Sequence, residues 1–310
     1  MELKNSQFIR VDGLVKKYGD MNALKGISFS VEKGEITGFL GPNGAGKTTT
    51  MKIITGYIPP TEGAVYIDGK NMFADSLECR KKIGYLPEDV PLYDDMKVTS
   101  YLSYVCRLRE IPKEEIPFKV DAMVEACDLE PVKNKLIRQL SKGNRQRVGI
   151  AQALVHDPEI LILDEPTIGL DPKQVVNIRE LISRLRENHT VILSTHILSE
   201  VEQMCDRVII INLGSIVLDK RFDEFHDESA AYMLRIGGAE DDVRSFLSGV
   251  AGIDRTEKGD GGSVVYHIVL REDTDPALIS QGIVEKGWRL YEMRRIRENL
   301  ETVFLEAITK

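Results

Sequence analysis

Cysteine is scarce in this 310-residue chain, and the four that occur lie far apart. They are Cys79, Cys106, Cys127 and Cys205, and no two of them form a CxxC pair. Zinc sites built from thiolates need such closely spaced pairs, and disulfide-stapled folds need a higher density of cysteine. The pattern therefore argues against a zinc site and fits reduced thiols in the cytosol.

Long apolar runs and an excess of basic charge are also missing. No run approaches the roughly 18 apolar residues that a helix needs to cross a bilayer. Residues 1–5 lack the apolar segment of a secretory signal. Acidic residues outnumber basic ones by 49 to 41, a net charge of −8, whereas a nucleic-acid-binding face is normally basic. We therefore expect a soluble chain with no nucleic-acid partner, which acts at a membrane only through other subunits.

The strongest functional motif present is a glycine-rich stretch that matches G-x-x-x-x-G-K-[ST], the phosphate-binding P-loop. It consists of Gly41, Pro42, Asn43, Gly44, Ala45, Gly46, Lys47, Thr48 and Thr49. The flanking runs predict a strand before it and a helix after it, which the motif requires and a chance glycine-rich turn would not show. Loop amides and the helix N-terminus bind phosphates in such a motif. Lys47 would contact the β- and γ-phosphates, and the Thr48 hydroxyl would ligate Mg²⁺.

Two later apolar runs predict buried strands that end in polar side chains. The first ends in Asp164 and Glu165, and the second ends in His196. Fully apolar strands are typical of parallel sheets, which bind ligands at the carboxyl ends of their strands. Asp164 is suited to hold Mg²⁺, Glu165 to orient or deprotonate an attacking water, and His196 to hydrogen-bond a γ-phosphate oxygen. Solvated carboxylates and a structural histidine are the alternatives.

Two weaker patterns allow two interpretations each. Tyr18 lies before the P-loop, where an aromatic ring could stack on adenine or simply belong to a turn. Ser141 is a good N-cap for a helix, and the small residues behind it would create either a second anion site or an ordinary capped surface helix.

In order and spacing these residues resemble the nucleotide-binding subunits of ABC transporters, over roughly residues 5–220. The resemblance implies that residues 41–49 are the Walker A loop and that Asp164 ends the Walker B strand. It also implies that Glu165 is the catalytic carboxylate and that His196 senses the γ-phosphate.

Further positions follow from the resemblance. It implies that Tyr18 stacks on adenine and that Asp171 belongs to a D-loop that bridges the two sites of a dimer. The family's signature sequence is usually LSGGQ, and residues 140–144 here are LSKGN. In such a dimer the signature of one copy closes over the γ-phosphate bound by the other. The residues expected to do so here are Ser141, Lys142, Gly143 and Asn144.

One departure affects the chemistry. The glutamine of the family's Q-loop is replaced by Glu88. A carboxylate can still ligate Mg²⁺ or hold the water, but it adds negative charge beside the triphosphate, so the role of Glu88 stays open. The pattern as a whole resembles the branch whose partners are ABC-2-type exporter membrane subunits.

The expected fold is α/β: a P-loop NTPase core with a mixed sheet, an antiparallel β subdomain and a helical insert at about residues 90–155. We expect this ATPase domain to occupy residues 1–220. A polar linker at 223–229 would lead to a small C-terminal α+β domain within residues 221–310, which ends in a helix at 299–308. Dimerisation or regulation is the role that the resemblance suggests for that domain.

The expected function is to bind and hydrolyse ATP with Mg²⁺ and so power a membrane transporter, in the export direction. The active form would be a head-to-tail dimer, with a second copy or a paralogous subunit, held at the inner face of the membrane by permease subunits. A nucleotide-gated switch with slow hydrolysis is an alternative. Soluble ABC proteins of DNA repair or translation are another, which the single P-loop, the acidic charge and the lack of a coiled-coil insert disfavour.

Overall fold

The computed structural model describes residues 7–186, 188–224, 231–271 and 274–296, together with residues 301 and 304. The chain forms two compact units, divided between Arg221 and Phe222. Most of the predicted linker, and the predicted last helix apart from residues 301 and 304, lie outside the described residues. Among the helices within the described ranges, none combines the length and the apolar character that a bilayer crossing demands.

The first unit alternates strands and helices. Its strands are β1 (Gln7–Tyr18), β2 (Met21–Glu32), β3 (Ile36–Leu40), β4 (Glu62–Ile67), β5 (Lys70–Asn71), β6 (Ile83–Leu86), β7 (Ile160–Asp164), β8 (Thr190–Thr195), β9 (Arg207–Asn212) and β10 (Ser215–Arg221). Its helices are α1 (Lys47–Ile54), α2 (Ser76–Lys81), α3 (Val98–Leu108), α4 (Ile116–Ala126), α5 (Lys142–Leu154), α6 (Pro172–Leu185) and α7 (Leu198–Met204).

Two sheets organise this unit. An antiparallel sheet has the order β2-β1-β4-β5, and a larger sheet has the order β10-β9-β3-β8-β7-β6. The larger sheet is parallel except for β10, which runs antiparallel to β9. Every residue of β3, β7 and β8 is buried, as expected for strands covered on both faces. The predicted mixed sheet and antiparallel subdomain are confirmed.

The register of the larger sheet brings three strand ends together. Leu40 at the end of β3 pairs with Thr195 at the end of β8, and Asp164 at the end of β7 pairs with Ser194. Because the strands are parallel, the segments that leave their carboxyl ends emerge at one edge of the sheet. That edge is where the P-loop begins.

One apolar core joins the two sheets and α1. It includes Leu14 and Leu24 from the antiparallel sheet, Met51 and Ile54 from α1, and Phe39 from β3, all fully buried. Burying a side chain of this size contributes about 1.5–3 kcal/mol, so α1 and the loop before it are held firmly against the sheet.

The region between β6 and β7 is helical, as predicted, and is built from α3, α4 and α5. α3 contacts both α4 and α5. The Tyr101 hydroxyl on α3 also donates a hydrogen bond to Gln152 Oε1 on α5.

The second unit is a βαββαβ sandwich, built from β11 (Ala231–Gly237), α8 (Glu240–Val250), β12 (Ala251–Lys258), β13 (Val264–Leu270), α9 (Pro276–Glu285) and β14 (Arg289–Ile296). Its antiparallel sheet has the order β12-β13-β11-β14. Leu234, Tyr266 and Ile268 of the sheet pack in one core with Leu247 and Ile279 of the helices. The predicted α+β class is confirmed, but β12 was not among the predicted elements.

Candidate functional site

The P-loop links β3 to α1 through backbone conformations that glycine permits. Gly46 precedes α1 with φ 114°, and a Cβ there would stand 2.9 Å from the carbonyl oxygen of Ala23. A Cβ at Gly41 would stand 2.4 Å from the carbonyl oxygen of Ile211. The loop therefore follows this path only with glycine at both positions. It leaves the N-terminus of α1 at Lys47, where free N–H groups attract phosphate.

Lys47 ties the P-loop to the end of β7. Its Nζ donates hydrogen bonds to the carbonyl oxygens of Gly41 (2.8 Å) and Pro42 (3.3 Å) and lies 3.2 Å from Glu165 Oε1. Both charged side chains are buried, so each compensates the other in a region of low dielectric. An anion that replaces the carboxylate as the partner of Lys47 would free Glu165 for another contact.

Asp164 presents a donor set suited to a hard cation. Its Oδ1 accepts hydrogen bonds from the hydroxyls of Ser194 (2.5 Å) and Thr48 (3.3 Å). Its buried Oδ2 has no hydrogen-bond partner among the described residues. Burial raises the pKa of Asp164, the two hydroxyls oppose that shift, and the charges of Glu88 and Glu165 add to it. A free carboxylate oxygen beside a threonine hydroxyl fits Mg²⁺, which prefers oxygen ligands.

Glu165 and His196 form a direct pair. Glu165 Oε2 lies 2.8 Å from His196 Nδ1, and the Glu165 N–H donates to both the carbonyl oxygen and the hydroxyl of Ser194, at 3.1 Å each. Glu165 adopts φ 49°, a conformation that is uncommon for a residue other than glycine and is frequent at functional sites. Ser194, which the sequence analysis did not single out, thus holds both carboxylate residues.

A cleft of about 590 Å³ runs along the P-loop. Besides P-loop residues it is lined by Tyr18, Met21, Glu88, Glu165, Ile168 and Leu213. Tyr18, Met21 and Leu213 are exposed apolar side chains that line this cleft, and an aromatic ring such as that of Tyr18 suits a nucleobase. The turn with Leu213 is fixed to the P-loop, since the Gly214 N–H donates to the Ala45 carbonyl at 2.9 Å. Met21 and Leu213 were not among the site residues predicted from the sequence.

Glu88 is an exposed residue that faces two clefts. It lines the P-loop cleft and also a neighbouring cleft of about 470 Å³, which includes Thr48 and Asp164 and continues to the helical region at Arg109. The structure therefore brings Glu88 to the side of the site where the cation ligands lie.

The LSKGN segment lies apart from the P-loop cleft. Ser141 caps α5 as predicted, and its Oγ accepts a hydrogen bond from the Asn144 N–H at 3.3 Å. Ser141, Gly143 and Asn144 line a separate cleft of about 320 Å³, which shares no described residue with the P-loop cleft. Within one chain the structure does not bring these residues to the phosphate-binding loop.

The predicted D-loop lies against the LSKGN segment. The Lys142 amine lies against Gly169, where an added Cβ would be 2.2 Å from Nζ. Asp171 caps α6, and its Oδ1 accepts a hydrogen bond from the Gln174 N–H at 2.9 Å. Gln174 in turn packs against Gly143. The predicted D-loop and signature residues are thus in contact with one another.

Comparisons with known proteins give the family context. The ABC transporter family model matches residues 24–168. The chain is 34% identical over 310 residues to the uncharacterized ABC transporter ATP-binding protein YhcH of Bacillus subtilis (strain 168), covering 99% of this chain and 95% of that protein. It is 38% identical over 230 residues to the bacitracin transport ATP-binding protein BcrA of Bacillus licheniformis, covering 74% of each.

A solved structure is also similar. It is a dimeric structure of a post-hydrolysis state of the ATP-binding cassette MJ0796, bound to ADP and Pi. The match has a TM-score of 0.63 and 28% identity, and it covers 69% of this chain and 98% of that one.

Proposed function

This chain belongs to the family of ABC transporter ATP-binding proteins and is an ATPase, and we propose that it powers an export transporter as a head-to-tail dimer with two shared ATP sites. The shared sites are inferred from the LSKGN segment, which lines a cleft that shares no described residue with the P-loop cleft. Hydrolysis at each site is supported by the position of Glu165, which contacts both Lys47 of the P-loop and His196 of the neighbouring strand end.

The contacts suggest a role for each residue in hydrolysis. Lys47 and the P-loop amides bind the phosphates, so that Lys47 leaves Glu165 when ATP arrives. Glu165 then orients the attacking water and accepts its proton, a step in which a carboxylate with a nearby partner is effective. His196 holds Glu165 in place and donates a hydrogen bond to the γ-phosphate.

Three further residues complete the proposed site. Thr48 and Asp164 would hold Mg²⁺, which supplies charge stabilisation at the phosphates when it is bound. Tyr18 would stack on the adenine ring, and base stacking on an aromatic side chain contributes about 1–3 kcal/mol.

The separation of the two clefts supports a dimer. Ser141 and its neighbours form a helix N-terminus with an adjacent lysine, which suits an anion, yet no described residue joins them to the P-loop cleft. A second copy, or a paralogous subunit, in head-to-tail arrangement would bring Ser141 to the γ-phosphate, with Asp171 near the junction. The dimeric form of the similar cassette is consistent with this arrangement.

The transport role extends the proposal to a membrane partner. The similar BcrA is named for bacitracin transport, which favours an exporter of the ABC-2 type. ATP binding would close the dimer and hydrolysis would reopen it. The cleft between Glu88 and the helical region would pass that motion to integral membrane permease subunits, which would hold the chain at the inner face of the membrane.

A nucleotide-gated switch with slow, incidental hydrolysis is the second candidate. Glu88 favours it, because a carboxylate beside Asp164 repels the triphosphate and adds to the rise in the pKa of Asp164 that burial causes. If the chain is a transport motor, the Glu88 carboxylate is compatible with hydrolysis, and the wild type hydrolyses ATP at a substantial rate.

Glu88→Gln separates the two candidates. For a motor we expect kcat to stay within about threefold of the wild type. The KM for ATP should fall by about fivefold, since roughly 1 kcal/mol of repulsion is removed. Steady-state hydrolysis at varied ATP concentration measures both values, and Asp89→Asn, one residue further along the same loop, is the matched control. A jump from negligible to substantial turnover in Glu88→Gln would favour the switch.

A further inference from the structure

One buried carboxylate has no role in the hydrolysis described above. Glu200, on α7, has no exposed surface. A carboxylate in such a position is costly unless hydrogen bonds and opposite charge compensate it. Its contacts therefore indicate what the fold uses it for.

Each oxygen of Glu200 bonds to a different loop. The Thr167 hydroxyl donates to Oε1 at 2.6 Å, and the Thr195 hydroxyl donates to Oε2 at 2.7 Å. Arg179 Nη2 on α6 lies 3.8 Å from Oε1. The carboxylate thus ties together the segments that leave β7 and β8, with α6 as a third support.

The first of these segments carries Glu165. Thr167 follows it by two residues in a tight turn, which the Ile168 N–H closes by donating to the Glu165 carbonyl oxygen at 3.1 Å. Thr167 is almost fully buried. Anchoring this side chain therefore fixes the turn that sets the direction of Glu165.

The second segment carries His196. Thr195 precedes it, and the Thr195 Oγ1 that donates to Glu200 also accepts a hydrogen bond from the Ile197 N–H at 3.0 Å. The Thr195 carbonyl oxygen accepts from the N–H of Gly41 at 3.3 Å. His196 is therefore held between two anchored neighbours, next to the first residue of the P-loop.

We propose that Glu200 is a positioning residue for ATP hydrolysis, which sets the spacing between Glu165 and His196 by clamping the loops that carry them. The inference rests on the roles proposed above for that pair. Glu165 and His196 are 2.8 Å apart, and a misplacement of about 1 Å in a catalytic group can lower a rate by about 10²-fold. Without the contacts of Glu200, ATP would still bind at the P-loop. Glu165 and His196, however, would be misaligned with the attacking water and the γ-phosphate.

The test compares Glu200→Ala with Glu202→Gln, an exposed glutamate on the same helix. We expect Glu200→Ala to lower kcat by about 10- to 100-fold while the KM for ATP stays within about twofold. Glu202→Gln should match the wild type. Glu200→Gln should recover part of the loss, because its amide oxygen accepts from one threonine and its NH₂ donates to the other.

Two isosteric variants keep the test decisive if Glu200→Ala does not fold. Thr167→Val and Thr195→Val each remove one arm of the clamp, and each should lower kcat with an unchanged KM. Wild-type kcat in folded Glu200→Ala, or in both folded valine variants, overturns the inference. Glu165→Gln is measured in parallel: its inactivity beside an active Glu200→Ala overturns only the clamp, whereas its full activity overturns the catalytic pair and the clamp with it.

Discussion

Glu165→Gln is expected to lower kcat for ATP hydrolysis by about 10³-fold, the usual contribution of a positioned general base, while ATP still binds. The amide keeps the size of the side chain but cannot accept the proton of the attacking water. It also releases Lys47, which lies 3.2 Å from Glu165 Oε1, so the contact that competes with the phosphates is weakened. ATP-bound dimers should therefore accumulate, which size-exclusion chromatography with ATP would detect.

The control for this variant is Glu159, which immediately precedes the strand that Glu165 follows. Glu159 is bonded to Lys33 and Lys82 at the surface, and Glu159→Gln should leave kcat unchanged. Undiminished hydrolysis in Glu165→Gln would remove Glu165 from the proposed role. A loss of both binding and hydrolysis would point to a damaged fold instead, which thermal unfolding would reveal.

Asp164→Asn is expected to have opposite effects on activity and stability. Hydrolysis of Mg²⁺–ATP should fall by about 10²- to 10³-fold, since the metal contributes several kcal/mol of charge stabilisation. In metal-free buffer at neutral pH, however, the variant should melt at a higher temperature than the wild type. Burial raises the pKa of Asp164, and its ionised form therefore opposes folding.

The sign of the pH dependence follows from that shift. A carboxyl whose pKa is raised in the folded state stabilises the fold at acidic pH and loses that contribution as the pH rises through the folded-state pKa. The amount by which the melting temperature of Asp164→Asn exceeds that of the wild type should therefore become smaller as the pH falls. Thermal unfolding scans across this range, with and without Mg²⁺–ATP, measure both effects.

Asp68 supplies a control with the opposite sign. A hydrogen bond from Lys82 lowers the pKa of Asp68, so its charged form stabilises the fold and Asp68→Asn should melt at a lower temperature near neutral pH. Asn is otherwise compatible with the left-handed backbone at this turn. If Asp164→Asn melted below the wild type in metal-free buffer, or hydrolysed Mg²⁺–ATP normally, the assignment of Asp164 would be wrong.

The main features of the site could be predicted because they rest on strong local rules. The P-loop has its own motif, and Asp164, Glu165 and His196 follow strands that are apolar enough to be parallel and buried. Parallel strands share one edge for their carboxyl ends, so their meeting point did not require knowledge of the register.

Other residues carry no such pattern. Ser194 is a small polar residue inside an apolar strand, and it acquires its role only because the register sets it opposite Asp164. Leu213 reaches the cleft through a turn that is bonded to Ala45, over 160 residues away along the chain. Contacts of such long range are set by tertiary packing and leave no spacing that a motif search could use.

Glu200 and β12 were missed for different physical reasons. Glu200 is buried beside Val201 on a short helix. Its burial could not be predicted, because a charged residue in a sequence normally indicates a solvent-exposed face. β12 is an edge strand with only Ala251 buried and a bulge between Ile253 and Arg255. Its apolar residues therefore do not alternate regularly, and the period of two that predicts a strand is lost.

If each ATP site is shared between two copies, two inactive variants with defects on opposite sides of the site should restore activity when they are mixed. Glu165→Gln disables the P-loop side of a site. Ser141→Asp disables the signature side, because it keeps a good N-cap but sets a negative charge against the γ-phosphate. In a head-to-tail heterodimer of the two variants, both defects fall in one site and the other site is intact.

A one-to-one mixture should therefore recover activity that neither variant has alone. Half of the dimers are mixed and each has one working site, so the rate should reach about a quarter of the wild-type value if the sites act independently. The measurement is ATP hydrolysis with the permease partner present, before and after the variants are mixed. Recovery would support the shared site, and a mixture as inactive as its two components would contradict it.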